Sequence, residues 1–273
     1  MRTSVRMLAM MALGLVLLTT AGCSKLRARD QLNKGVQSYK NARYEEAINH
    51  FQQAVSLDPS LLNARLYLAT AFAQQYIPGV DAEDNTRLGQ NAIDEYKSVL
   101  DRDPKNINSV KGIAYLYLQM KRFEDAKTFY RKAIQLDPND PEPYYSVAVI
   151  DWTQSYQPRM EERSKVGLKP DEWIMKDKSN KKVCETLRQK SSDVIQDGIA
   201  MLDKALELRR DYDDAMAYMN LLYREKADLE CDDPAARTAD LKTADEWVDK
   251  TMATKKAKAE KQPGAQGITM QGK

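Results

Sequence analysis

One set of spacings recurs along the chain and limits what it can fold into. Ala47, Phe51, Ala54 and Pro59 stand at offsets of 4, 3 and 5, and Ala126, Tyr130, Ala133 and Pro138 repeat them. Ala92, Tyr96, Val99 and Pro104 give a third copy, and Gly198, Leu202, Ala205 and Arg210 a fourth in which the proline is lost. Spacings of 3 and 4 gather each set on one face of a helix. The proline then ends that helix, because the residue before it is pushed out of helical geometry. Upstream of each set lies a second helical pattern, of which Val110, Ile113, Ala114 and Tyr117 is the best example. The unit is therefore a helical hairpin, and small residues such as Gly35, Ala69, Ala114 and Ala148 let its two helices approach closely. A lone hairpin cannot bury its apolar face, so the copies must stack. The expected fold is an all-α, right-handed α-solenoid of about five hairpins, near residues 28–61, 62–106, 107–140, 141–212 and 213–252.

Pro104 and Pro138 lie 34 residues apart, and the stretch between Ile107 and Pro138 carries Ala114, Tyr117, Ala126, Tyr130 and Ala133 in order. That stretch resembles the tetratricopeptide repeat, with its Leu-Gly-x-x-Tyr, Ala-x-x-x-Phe and Pro pattern, although Val110 replaces the usual Trp. The resemblance covers about Ala28 to Met252. It implies a concave groove lined by the first helix of each hairpin, and a role in binding other proteins. In the third hairpin Lys111, Gly112, Tyr115 and Leu118 fall on a different face from the packing set, and the matching positions elsewhere are Leu66 and Tyr67, then Tyr145, Val149 and Trp152, then Tyr218. These residues are the candidate partner groove. It is aromatic and weakly charged, which suits an extended peptide or an amphipathic helix. The alternative is that the rings fill the interior or lie under the inserted segments. Relatives that grip a C-terminal carboxylate use Lys, Arg and Asn in this groove. Here Leu32, Val36, Tyr67 and Gly112 hold the corresponding places, so that chaperone-docking activity is not expected.

The repeats are interrupted twice, at 76–89 and at 154–180. Both extras fall inside a hairpin and should project from one edge of the solenoid, as a docking surface or as ornaments packed on their own repeats. Cys184 and Cys231 stand near that edge, and helix rise leaves a mismatch of roughly 9 Å between them. A disulfide and a pair of buried thiols are both open.

Before the repeats, Arg2 and Arg6 precede an apolar run from Met7 to Leu18, followed by Thr20, Ala21, Gly22 and Cys23. This reads as a signal peptide over 1–22. Its end resembles a bacterial lipobox, which implies that Cys23 carries lipid, that 23–27 form a short linker, and that the protein is held at an envelope membrane. The favoured site is the periplasmic face of the outer membrane. After the repeats, residues 253–273 are rich in Lys without apolar periodicity, and read as a disordered tail.

Composition narrows the chemistry. Of 273 residues, 42 are Lys or Arg and 40 Asp or Glu, a balance that offers no field for nucleic acid. The single histidine, His50, makes a His-based triad or a multi-His zinc site very hard to build, and beside Phe51 it reads as a helix-surface residue rather than a catalytic base. No catalytic residue, metal site or cofactor is assigned. The main expectation is an adaptor or scaffold for other envelope proteins, and the resemblance to such lipoproteins implies work in outer-membrane, pilus or cell-wall assembly. The alternatives are an accessory subunit or envelope enzyme with a site built by 154–180, and a self-associating structural protein.

Overall fold

A computed structural model describes residues 23–169 and 172–261, and all regular structure among them is helical. The expected signal peptide, 1–22, and residues 262–273 lie outside the described residues. The helices are α1 over 23–40, α2 Tyr44–Leu57, α3 Leu62–Gln75, α4 Glu83–Leu100, α5 Ile107–Gln119, α6 Phe123–Leu136, α7 Pro141–Lys165, α8 Lys181–Leu208, α9 Asp213–Ala227 and α10 Pro234–Lys261. The described helices form two compact units, divided between Phe129 and Tyr130 inside α6. None of the described helices is long and apolar enough to cross a membrane.

In the first unit the repeating positions are the core. Ala47, Phe51, Ala54, Ala92 and Val99 are fully buried, as are Val110, Ile113 and Ala114 on α5. Gly35 is placed by contact: a Cβ there would stand 2.4 Å from the Phe51 ring, so only glycine lets α1 lie on α2. Two hairpin turns share one geometry. Ala42 and Lys121 take φ of 57° and 58°, and the next residue's amide closes each turn, Arg43 N donating to Ser38 O at 2.9 Å and Arg122 N to Tyr117 O at 2.8 Å. This is a left-handed cap that satisfies the last carbonyls of the first helix. The interruption at 76–89 proves to be a short loop followed by the first turns of α4. It is tied to its own hairpin by Asn85, whose side chain accepts from Ile77 N and donates to the carbonyls of Ile77 and Val80, each at 2.8 Å.

In the second unit the interruption at 154–180 is mostly helix rather than a projecting loop. α7 continues through Pro158 to Lys165. The rest folds back through two 3-10 turns, Ile174–Lys176 and Lys178–Asn180, and buries Ile174 completely in the core around α8. The expected linker 23–27 is helical. The tail expected to be disordered from 253 is helical to Lys261, held where Lys258 Nζ meets Asp213 Oδ1 at 2.5 Å. Cys184 and Cys231 are joined in a disulfide, with Cα atoms 5.7 Å apart. α9 stops at Ala227, and the turn 228–230 returns the chain to Cys184, which absorbs the mismatch that helix rise alone would leave.

Candidate functional site

The first unit offers two exposed rings on its first helices. Tyr67 on α3 is 39% exposed and Tyr115 on α5 is 51% exposed, with Leu66, Lys111 and Leu118 half-buried beside them. Tyr67 is braced from beneath by Phe51, the ring centroids 5.6 Å apart and nearly parallel. Gly112 does not open onto the same surface, for a Cβ there would stand 2.5 Å from the Tyr96 ring. Its role is to admit α4 against α5.

The second unit brings its candidate residues into one series of rings. Tyr145 meets Tyr212 at 5.0 Å and Tyr218 at 5.6 Å, Tyr218 meets Trp152 at 5.5 Å, and Trp152 stacks on Tyr156 at 5.0 Å. Edge-on and offset-stacked contacts of this kind add about 0.5–1.5 kcal/mol per pair beyond the area they bury. Tyr145, Val149, Trp152 and Tyr218 are half-buried, so the rings neither fill the interior nor stand free. Tyr212 and Tyr156 are members that the repeat spacing does not assign, because one lies at the turn before α9 and the other inside the interrupted region. Tyr212 is fixed at one end of the series, donating to Glu142 Oε2 at 2.8 Å under the Arg209 guanidinium. Burial pushes the hydroxyls of Tyr145, Tyr218 and Tyr212 above the usual tyrosine range, so all three stay neutral donors. Those of Tyr145, Tyr156 and Tyr218 make no hydrogen bond to described residues.

Beside the series lies an ion network that joins α7 to the turn after α9. Arg163 is fully buried. It donates from Nη1 to Asp228 Oδ2 at 2.7 Å and from Nη2 to Lys169 O at 2.5 Å and to Glu172 O. Arg159 donates from Nε to the same Asp228 oxygen at 2.6 Å and from Nη1 to Glu225 Oε1 at 3.3 Å. Burial pushes the Glu225 carboxyl up to about 7, with Asp228 adding to the rise and Arg159 and Arg163 opposing it. In the unfolded chain this group titrates near about 4.3. Between those values the folded protein binds the extra proton, so this contribution to stability is present at the acid end and is lost as pH rises toward 7. Denaturant melts from pH 4.5 to 8 should therefore show a stability difference between wild type and Glu225→Gln that changes across that window. A difference independent of pH would contradict the assignment.

The disulfide stands behind this network, both cysteines buried with Ile174, Leu187 and Leu229. Cys23 is an exposed free cysteine at the start of α1. Among the described residues no cluster of His, Cys, Asp and Glu is arranged to hold a metal ion.

Comparisons with known proteins agree with this architecture. Family models described as tetratricopeptide repeat match residues 89–150 and 32–78. Among similar solved structures, a crystal structure of MamA is 12% identical, with 86% of this chain and 94% of that chain covered and a TM-score of 0.56. MamA residues 41–end from Desulfovibrio magneticus RS-1 is 15% identical, covering 85% and 96%, with a TM-score of 0.56. YrrB, described as a TPR protein with an unusual peptide-binding site, is 13% identical, covering 84% and 90%, with a TM-score of 0.50. At these identities the likeness is one of fold. Comparison with curated proteins gives no match.

Proposed function

The chain is a tetratricopeptide-repeat protein, and from that membership we propose that it is an adaptor, lipid-anchored in a bacterial envelope, that grips a partner protein on the aromatic faces of its first helices. The TPR fold supports a role in protein–protein interaction. The observation that carries the finer reading is the series Tyr212–Tyr145–Tyr218–Trp152–Tyr156, in which Tyr145, Tyr218 and Tyr156 are half-buried and in ring contact. Such rings offer large contact area, little rotamer entropy to lose, and a polar tip, which is the profile of a protein-binding hot spot. Tyr67 and Tyr115 present the same chemistry in the first unit. The peptide-binding site named for YrrB supports the reading by analogy of fold.

Anchoring rests on the apolar run Met7–Leu18 and on Cys23, which is exposed at the first described position. An oxidising envelope compartment also suits the disulfide between Cys184 and Cys231. The work such an anchored adaptor would serve is assembly of outer-membrane proteins, pili or cell wall, at the periplasmic face of the outer membrane. Intact mass of the membrane-extracted protein should give an N-terminus at Cys23 with covalent acyl chains, and an unmodified mature N-terminus would contradict the anchor. Tyr115→Ala should weaken capture of the partner from solubilised envelopes by on the order of tenfold or more while leaving the melting temperature unchanged. Equal capture by both proteins would remove Tyr115 from the interface.

A further inference from the structure

The ring series of the second unit ends at a pocket of about 280 Å³ between α7, α9 and α10. Trp152 and Tyr156 form one wall, Leu221 and Leu241 another, and the charged lining is mixed, Arg159, Arg224 and Arg237 standing with Glu225 and Asp228. The guanidiniums near this pocket are not equivalent. Arg159 and Arg163 are bonded to Asp228, and Arg224 to Asp245. Arg237 alone among these four has no carboxylate. Among the described residues its side chain meets the Trp173 ring, 5.3 Å from the guanidinium, and its Nε is buried without a hydrogen bond. Trp173 belongs to the segment that folds back from α7, held there by Arg163 through the Lys169 and Glu172 carbonyls. The interrupted region thus braces, through Trp173, an arginine on the pocket lining that has no carboxylate of its own.

Glu225 and Asp228 are already engaged by Arg159 and Arg163, and two neutral donors stand beside Arg237 on the lining. The Tyr156 hydroxyl makes no hydrogen bond to described residues, and Trp152 Nε1 is buried without one. Both can donate, and a partly exposed guanidinium presents a fork of donors that matches a carboxylate. The volume lies below the range of small-molecule sites, about 300–1,000 Å³, and has room for a single side chain. A dianion would meet the Glu225 and Asp228 carboxylates that line the same pocket, whereas a single negative charge matches Arg237.

We propose that this pocket receives one apolar residue of a partner polypeptide together with an adjacent carboxylate, which pairs with Arg237. The inference rests on the reading of the aromatic face as a protein-binding surface and adds the chemistry of what binds at its end. The carboxylate can come from a chain terminus or from an acidic side chain, and the test separates the two. It uses the full-length mature protein labelled with 5-fluorotryptophan, whose three resonances report Trp152, Trp173 and Trp247. N-acetylphenylalanine stands for a terminus, and capped Glu-Phe amide for an internal acid. Each is paired with a control in which the carboxylate is an amide.

At least one acid should shift Trp152 and Trp173 saturably, with an affinity on the order of millimolar, and leave Trp247 unmoved. Its amide should bind at least tenfold more weakly, on the order of the loss expected when a charged partner is removed. Arg237→Met should abolish the difference between acid and amide, and Arg237→Lys, which keeps charge without the fork, should retain part of it. Should Arg237→Met fail to fold, the comparison of acid with amide in wild type and Arg237→Lys still decides. No saturable shift at Trp152 with either acid overturns the proposal. So does binding that is equal for acid and amide; in that case the aromatic surface still binds peptide and only the carboxylate assignment falls.

Discussion

Replacing both Cys184 and Cys231 by alanine is expected to cost the second unit about 4 kcal/mol, because the bridge closes a loop across a sequence separation of 47 and so restricts the unfolded chain. The midpoint of its thermal transition should fall by on the order of 10 °C. The bridge holds the start of α8 to the turn before α10, so its loss also frees the turn that carries Asp228. Reduction of unfolded wild type before refolding should reproduce the same loss. Identical melting with and without reductant would show that the cysteines do not pair in the mature protein.

The second large effect concerns the network in front of the bridge, and two variants differ in a way that tests its wiring. Arg163→Met removes a fully buried guanidinium but leaves Asp228 paired with Arg159. What it abandons is the pair of carbonyls at Lys169 and Glu172, a cost of about 3 kcal/mol. Asp228→Ala instead strips Arg159 and Arg163 of their shared carboxylate and leaves uncompensated charge in the interior. That change should cost more, about 5 kcal/mol. In Arg163→Met the segment 166–180 should become the first site of protease cleavage, since its main anchor is gone. Equal costs for the two variants would mean that Asp228 is not the hub, and an unchanged cleavage pattern that Arg163 does not anchor the segment.

These effects lie where the sequence was least readable. The repeating positions were legible because they obey a local period: Ala47, Phe51 and Ala54, Ala92 and Val99, and Ala126 and Ala133 are all fully buried. The spacing also picks out Tyr145, Trp152 and Tyr218 as groove residues, whereas their contact with one another is seen only in the structure. The region after Gln154 was not. Its run of charges and Pro158 look like the end of a helix, since proline removes one backbone hydrogen bond and crowds the preceding turn. The helix continues because Arg159 and Arg163 find Glu225 and Asp228, more than 60 positions away in the chain. No local pattern encodes that pairing. The Lys-rich end of α10 misled for a similar reason, as Lys258 is held by Asp213 at the start of α9. Arg237 reads in the sequence as one more surface charge, and only the placement of Trp173 beneath it sets it apart.

The most direct test of the central claim is site-specific photo-crosslinking in the native cell, with probes at Tyr115 on α5 and Tyr156 on α7 and a control at the exposed Thr128 on α6. Capture of one discrete protein from the first-helix probes, absent at Thr128, is the predicted result. Capture from neither ring position, or from Thr128 alone, would contradict the claim that the first-helix aromatic faces hold the partner.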